Sequence, residues 1–153
     1  MANIASMSKE EEELNRLSVE MRFLEQTAET LQQRIGMINA AITDLTYANM
    51  TLEGIEKEKD DAELLVPIGS SSYIKVKLVN ADKVVVGMGA GVSVEKTLPE
   101  AKAIVKERLD ELEKTMSSAQ QQFAQVVQRI NAGRSQLQNL LARVRQGKAQ
   151  QNV

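Results

Sequence analysis

Few side chains in this sequence could carry out chemistry. The chain has no histidine and no cysteine, so it lacks the commonest general base, the commonest metal ligand and any thiolate nucleophile. Three short segments remain as candidates: a glycine-rich run at residues 87–91 and two carboxylate clusters, at residues 10–13 and 59–63. A glycine-rich run could bind phosphate, and paired carboxylates could act as acid and base or bind a cation.

The spacing of the glycines favours a tight turn. Gly87, Gly89 and Gly91 form a GxGxG pattern, whereas a dinucleotide-binding loop has GxGxxG and opens a helix. Valine-rich sequence lies on both sides of the run, so a strand follows the glycines where a nucleotide site requires a helix. The pattern therefore predicts a hairpin turn, with nucleotide binding as the alternative.

The two carboxylate clusters are typical of solvated helix ends. No apolar pocket is indicated around either cluster that could shift a pKa as an active site does. An acid and base pair or a cation site is the alternative interpretation. From these observations we predict no catalytic residue, no cofactor and no metal site, and a protein that is not an enzyme.

The first element that positions these segments is a long helix. Apolar residues recur at alternating steps of three and four, which is the heptad pattern of a left-handed coiled coil. This seam consists of Leu14, Leu17, Met21, Leu24, Ala28, Leu31, Ile35, Ile38, Ile42, Leu45, Leu52 and one polar member, Asn49. Ser8 and Glu11 have the spacing of a capping box. We predict a helix over residues 8–60, about 75 Å long.

A second helix of similar length ends the chain. Thr97 and Glu100 repeat the capping-box spacing, and Pro99 falls in the first turn, where proline is tolerated. The second seam consists of Val105, Leu109, Leu112, Met116, Ala119, Phe123, Val126, Ile130, Gly133, Leu137, Leu140 and Val144. We predict this helix over residues 98–148.

Two equal heptad arms predict an antiparallel coiled coil within the chain. One register sets large residues against small ones, with Leu24 facing Gly133 and Ala28 facing Ile130, as interlocking packing prefers. The same register lays an acidic arm beside a basic one, because residues 1–60 hold 6 basic and 12 acidic residues while residues 98–153 hold 9 and 5. In the alternative, each arm pairs in parallel with another copy.

The segment between the helices has β-character. Val, Ile, Tyr and Thr are concentrated in residues 64–97, between turns rich in Gly, Ser, Asn and Asp. Four short strands there predict two hairpins, which are marginal alone in water and have open edges. We expect them to pair with other subunits through Ile74, Val76, Leu78, Val84, Val86, Val92 and Val94. The predicted fold is mainly α with a small β region: a long antiparallel two-helix coiled coil joined by two β-hairpins, in one domain over residues 1–153.

Apolar residues also recur at the free ends of the two arms. They are Met7, Leu14, Leu17, Met21, Leu137, Leu140, Leu141 and Val144. A two-helix coil encloses its seam only partly, so such residues either bind something or close the coil. Leu141 stands beside the seam and is expected to face outward. Methionine suits unselective apolar contacts because its side chain adapts to many shapes.

Charge and hydropathy limit the partners. After Thr115 the chain has no acidic residue and five basic ones. Nucleic-acid binding is one interpretation of such a segment, but no aromatic residue lies among these cations and the acidic arm offers them a partner. No apolar run approaches the ~20 residues of a membrane span. We therefore predict neither a nucleic-acid nor a membrane partner.

The central segment resembles that of the prefoldins, the alpha type in particular. The similarity covers nearly the whole chain and is most specific in LVPIG at residues 65–69, YIKV at residues 73–76 and VVVGMGAGVSVEK at residues 84–96. A connector with room for two hairpins fits the alpha type, since beta-type subunits are similar but carry one.

This resemblance implies a cytoplasmic, ATP-independent chaperone that holds unfolded proteins. Two alpha and four beta subunits would join their hairpins into a β-platform that carries six coiled coils. The tips, which here correspond to roughly residues 5–21 and 137–148, would grip unfolded clients and pass them to a group II chaperonin. The alternative is a filament-forming or structural coiled-coil protein of the gamma-prefoldin type.

Overall fold

Two long helices flank two β-hairpins. The structure, a computed structural model, describes residues 8–152. Its elements are α1 (Lys9–Glu56), β1 (Glu63–Gly69), β2 (Ser72–Lys77), β3 (Lys83–Gly89), β4 (Val92–Thr97) and α2 (Leu98–Gln151). β1 pairs antiparallel with β2, and β3 pairs antiparallel with β4, as two separate two-stranded sheets. The predicted fold class is confirmed.

Both helices begin at the capping residues that the sequence indicates. At α1 the backbone N–H of Glu11 donates to the Ser8 hydroxyl at 3.2 Å. At α2 the box is reciprocal: the Glu100 N–H donates to Thr97 Oγ1 at 3.3 Å and the Thr97 N–H donates to Glu100 Oε2 at 3.4 Å. These bonds satisfy backbone donors that have no partner within the first turn of a helix.

The end of α1 differs from the prediction. The helix ends at Glu56, four residues before the predicted residue 60. Beyond it, Asp61 has φ +65° and its N–H donates to the Leu78 carbonyl at 2.7 Å. The Asp60 carboxylate accepts the Ala81 N–H, also at 2.7 Å. Hydrogen bonds to residues 17 or more positions along the chain therefore hold the segment just after the end of α1. Local helix propensity does not predict such bonds.

One compact unit contains residues up to Met37 and from Met116 onward. Its core consists of Leu17, Met21, Leu24, Ile130 and Leu140, with Leu14, Ala28, Val126 and Leu137 packed around them. Every core residue belongs to one of the two predicted seams. The heptad spacing therefore identified the buried face of each helix in this unit.

Ion pairs join the two helices along the sides of this core. Glu20 lies 3.3 Å from Arg129, Glu25 lies 3.7 Å from Arg134, and Glu11 lies 3.8 Å from Lys148. Glu11–Lys148 and Glu25–Arg134 run in opposite order along the two helices, so the pairing is antiparallel. The predicted apposition of an acidic and a basic helix is confirmed here, although such exposed pairs contribute little stability.

The partner of Gly133 differs from the predicted one. A Cβ atom on Gly133 would collide with the Met21 sulfur, so Met21 fills the space that the predicted register gives to Leu24. Gly133 is buried, and the absence of a side chain there makes room for the long Met21 side chain. Heptad spacing predicts which residues lie in the seam. It does not predict which of two neighbouring seam residues, Met21 or Leu24, fills the space beside Gly133.

Gly133→Leu is expected to destabilise this unit. The new side chain must displace Met21 from a packed core, and overpacking of this kind costs about 1–3 kcal/mol. Gly36→Leu is the matched control, because Gly36 is also helical and has no atom within 4 Å of an added Cβ. Leucine there gains roughly 0.5–1 kcal/mol of helix propensity. Thermal unfolding should therefore shift in opposite directions, and equal shifts would contradict the packing described.

A second compact unit contains residues from Ile38 to Thr115. Its core consists of Leu52, Val86, Leu98, Ala101 and Val105, surrounded by Leu45, Ile55, Val84, Ile104 and Leu109. The C-terminal part of α1, the start of α2 and one strand of the β3–β4 hairpin therefore share this core. Leu52 of the first seam and Val105 of the second seam both belong to it.

Candidate assembly and client-binding surfaces

The β3–β4 hairpin is attached to the helices of its own chain. Val86 is only 8% exposed, and Val84 packs against the same core. The Arg108 side chain on α2 adds a hydrogen bond, donated from Nη2 to the Gly87 carbonyl at 2.7 Å. Val84 and Val86 were predicted as subunit contacts. Within the single chain Val86 is already covered by its own core, so a contact of Val86 with another subunit stays a prediction.

The β1–β2 hairpin belongs to neither core of the described chain. Val66 and Ile74 face each other across its strands and are 41% and 51% exposed. Val76 and Leu78 are half-buried. Leu65, Ile68 and Tyr73 are exposed as well, so apolar side chains remain open on both faces. Of the other predicted assembly residues, Val92 and Val94 are exposed on β4.

The glycine-rich run forms a hairpin turn. Ala90 and Gly91 have φ of +52° and +75° between β3 and β4, and two successive positive φ values are typical of the tight turns that join antiparallel strands. The strand β4 begins at Val92, immediately after the turn. The predicted turn is therefore confirmed, with a strand where a phosphate loop would lead into a helix.

The carboxylate clusters act within the fold. Glu11 belongs to the α1 cap and pairs with Lys148, and Asp60 binds the Ala81 N–H between the hairpins. Across residues 8–152, no three acidic side chains gather closely enough to hold a metal ion. In the same part of the chain, neither helix has an apolar stretch that could cross a membrane.

Lys102 and Glu56 form the shortest ion pair in the second unit. The ammonium donates to Glu56 Oε2 at 2.7 Å. This hydrogen bond raises the pKa of Lys102 above its ordinary 10.5. Desolvation of the ammonium opposes the rise, and the negative charges of Glu56 and Glu53 add to it. The folded state therefore holds this proton more tightly than the unfolded chain does. The pair stabilises the fold below pH 10.5, and the benefit is lost as the pH rises through the raised pKa.

Glu56→Gln is expected to lower the unfolding temperature at neutral pH. At alkaline pH the unfolding temperature of the variant should approach that of the parent protein. Glu58→Gln is the control, because Glu58 forms no ion pair within the described residues, and it should track the parent at every pH. Thermal melts between pH 7 and pH 12 check both variants. A Glu56→Gln deficit that persists at the alkaline end would contradict the role of the pair.

The predicted tip residues divide into buried and half-buried groups. Leu17, Met21 and Leu140 are 8%, 6% and 4% exposed, so in the closed coil they hold the helices together. Leu14, Leu137, Leu141 and Val144 are half-buried. Leu141, expected to face outward, is thus exposed only in part. Met7 lies outside the described residues. A heptad seam is buried by its partner helix, which explains why these positions are mostly covered.

The exposed apolar side chains of the first unit lie on the outer face of α1. Val19, Phe23 and Met37 are 66%, 66% and 70% exposed. With Leu14 at position a of its heptad, Val19 occupies position f and Phe23 and Met37 occupy position c, on the side of the helix that faces water. Heptad spacing does not reveal these residues, because it selects only the a and d positions. A search for large apolar residues at the outward heptad positions would have found them.

Comparison with known proteins agrees with this geometry. The family model described as prefoldin subunit matches residues 24–143. A prefoldin subunit alpha of Methanococcoides burtonii is 34% identical over 78% of this chain and 87% of its own. A prefoldin subunit alpha of Methanopyrus kandleri is 32% identical over 80% of this chain and 78% of its own.

Solved structures give the same fold. A filamentous prefoldin from Methanocaldococcus jannaschii superposes with a TM-score of 0.63 at 27% identity, over 73% of this chain and 93% of that one. A prefoldin beta subunit from Thermococcus strain KS-1 superposes with a TM-score of 0.56 at 18% identity, over 91% of this chain and 96% of that one. At this identity the likeness shows the fold alone. Two helices around two hairpins, a family model over most of the length and these alpha-subunit relatives together show that the chain belongs to the prefoldin family of chaperone subunits, as a member of its alpha type.

Proposed function

We propose that this chain is the alpha subunit of a cytoplasmic chaperone complex that captures unfolded proteins without nucleotide and delivers them to a group II chaperonin. In this proposal residues 1–153 act as one prefoldin-like domain. Two copies join four beta-type subunits through the hairpins, and the helix ends bind clients. The proposal involves no enzymatic activity and no cofactor.

The observation that carries the proposal is the exposed apolar surface of the β1–β2 hairpin. Five of its large apolar side chains are more than 40% exposed, and it belongs to neither core of the described chain. An isolated two-stranded hairpin is marginal in water, and apolar surface of this kind marks an interaction site. Strands from other subunits supply the missing sheet partners and cover the apolar faces.

Client binding is assigned to the ends of the helices. Leu14, Leu137, Leu141 and Val144 are half-buried there, and Met7 precedes the described residues. Leu17, Met21 and Leu140 become available only where the coil opens. The proposal uses many weak apolar contacts shared among several arms, so that avidity replaces the affinity of any single arm. Clients are then selected by the apolar residues that unfolded chains expose.

The test is suppression of aggregation by the assembled complex in the absence of nucleotide. A chemically unfolded client is diluted into buffer with this chain and a beta-type prefoldin subunit, and light scattering follows aggregation. The proposal predicts lower scattering at stoichiometric amounts of complex and no further effect of added ATP. Equal scattering with and without the complex would contradict it, as would a requirement for ATP.

A filament-forming protein is the second candidate function. The observation that favours it is the 27% identity and TM-score of 0.63 with the filamentous prefoldin. Light scattering and sedimentation of the chain alone distinguish the two candidates. Large polymers without any partner favour the filament, whereas a defined complex that requires beta-type subunits favours the chaperone subunit.

A further inference from the structure

The Met21 thioether lies in the core of the first compact unit, directly against Gly133. Met21 is only 6% exposed, and Gly133 is buried. A Cβ atom built on Gly133 would collide with the Met21 sulfur, and it would lie 3.5 Å from the methionine methyl carbon and 3.6 Å from its Cγ. The sulfur therefore fills the gap that the glycine leaves, and the backbone of α2 leaves no room for an additional atom on that side.

The core around this sulfur is apolar. Its other members are Leu17, Leu24, Ile130 and Leu140, and within residues 8–152 no polar or charged residue is buried. The neighbouring backbone N–H groups belong to the long helices α1 and α2, where each donates to a carbonyl four residues earlier. A hydrogen-bond acceptor placed on this sulfur would therefore find no free donor.

Oxidation of methionine produces such an acceptor. When hydrogen peroxide reacts with a thioether, the O–O bond breaks and an S–O bond forms. The sulfur is oxidised by two electrons, and the second peroxide oxygen leaves with both protons as water. The product is a polar sulfoxide whose oxygen accepts hydrogen bonds. Because a buried acceptor without a donor is costly, a sulfoxide is poorly tolerated in a core of this composition.

From this geometry we propose that Met21 is an oxidation site whose sulfoxide opens the coiled coil of the first unit. The oxidised side chain leaves Gly133 and turns toward solvent, which separates the two helices around it. Leu17, Leu24 and Leu140 then lose part of their cover. The inference rests on the proposed function for its consequence, because the exposed seam adds to the apolar surface that binds unfolded clients.

Burial makes Met21 react later than the exposed methionines. Met37, Met50 and Met88 are 70%, 60% and 48% exposed, so they react first, and water solvates their sulfoxide oxygens without any cost to the fold. Met21 lies within about four turns of the start of α1 at Lys9. Local opening near a helix end admits the oxidant without global unfolding. The coil therefore loses stability only after the exposed methionines have been oxidised.

Stepwise oxidation with hydrogen peroxide tests the site. Two variants accompany the parent chain: Met21→Leu, which keeps the exposed methionines, and the triple variant Met37→Leu, Met50→Leu and Met88→Leu, which keeps Met21. Leucine has a similar volume and no sulfur to oxidise. Each protein is compared with its own unoxidised sample, so the packing cost of a substitution cancels. Peptide mass spectrometry measures the sulfoxide at each methionine, and circular dichroism measures the unfolding temperature.

The parent and the triple variant should each lose about 4 °C or more of unfolding temperature as Met21 is oxidised, and both should bind more of the apolar dye ANS. Met21→Leu should keep its unfolding temperature under the same treatment. An equal loss in Met21→Leu would overturn the proposal. So would a parent chain whose unfolding temperature falls with the Met37 sulfoxide and not with the Met21 sulfoxide, a comparison that needs no substitution.

A client assay separates this inference from the proposed function. The parent chain is oxidised, freed of peroxide and mixed with a beta-type prefoldin subunit, and light scattering follows client aggregation. The opened coil should lower the amount of complex needed for half-maximal protection by about twofold or more. Lost thermal stability without a gain in protection refutes client binding by the seam at the helix ends. Unchanged stability of a chain fully oxidised at Met21 refutes the oxidation site alone.

Discussion

Glutamate at both Val66 and Ile74 is expected to abolish assembly with beta-type subunits. The two side chains face each other across β1 and β2 and are exposed in the single chain. If other subunits cover this face, two opposed carboxylates must be buried together, and each uncompensated buried charge costs several kcal/mol. Association should weaken by more than about 100-fold.

The control variant carries the same two charges elsewhere. Met37 and Val79 are 70% and 89% exposed and lie outside the four strands, so Met37→Glu with Val79→Glu should assemble normally. Light scattering coupled to size exclusion measures the mass of each mixture, and circular dichroism confirms that the helices are retained. An unchanged complex mass for Val66→Glu with Ile74→Glu would remove the β1–β2 hairpin from the interface.

Removal of residues 1–14 and 141–153 is expected to impair client protection while leaving assembly intact. The deletion removes Leu14, Leu141 and Val144 and retains the core residues Leu17, Met21 and Leu140. If several arms share each client, as proposed, loss of the alpha tips should raise the amount of complex needed for half-maximal protection by about threefold or more.

A second variant distinguishes the tips from the outer face of α1. Phe23→Ser with Val19→Ser removes two of the three exposed apolar side chains of that face and leaves the helix ends complete. If the tips bind the clients, aggregation assays should show nearly full protection by this variant and weak protection by the deletion. The reverse order would move the client-binding surface to Val19 and Phe23, and unchanged protection by the deletion would remove the tip assignment.

The heptad pattern was sufficient to predict much of the fold. Burial of apolar residues at steps of three and four is a local consequence of helix geometry, so both helices, their caps and their buried faces followed from spacing. The β-hairpins followed from residue type and turn chemistry. The end of α1 did not, because Asp61 and Asp60 bind Leu78 and Ala81 across the connection between the hairpins.

The functional surfaces were harder to predict than the fold. The two-residue period of a strand places Val84 and Val86 on one face of β3, but whether the chain's own helices or another subunit covers that face depends on tertiary packing. Which edge of the hairpin lacks a donor because of Pro67 depends on the phase of the ladder, which the hydrogen bond from the Leu78 N–H to the Ala62 carbonyl sets. Phe23 and Val19 were not predicted, because heptad spacing selects only the residues of the seam and not those on the outward face of the helix.

The most direct test of the whole account is the mass of the complex that this chain forms with a beta-type prefoldin subunit. Native mass spectrometry of the mixture should give a single six-chain species that contains two copies of this chain. A chain that stays alone at all ratios, or that forms polymers and excludes the beta-type subunit, would contradict the account.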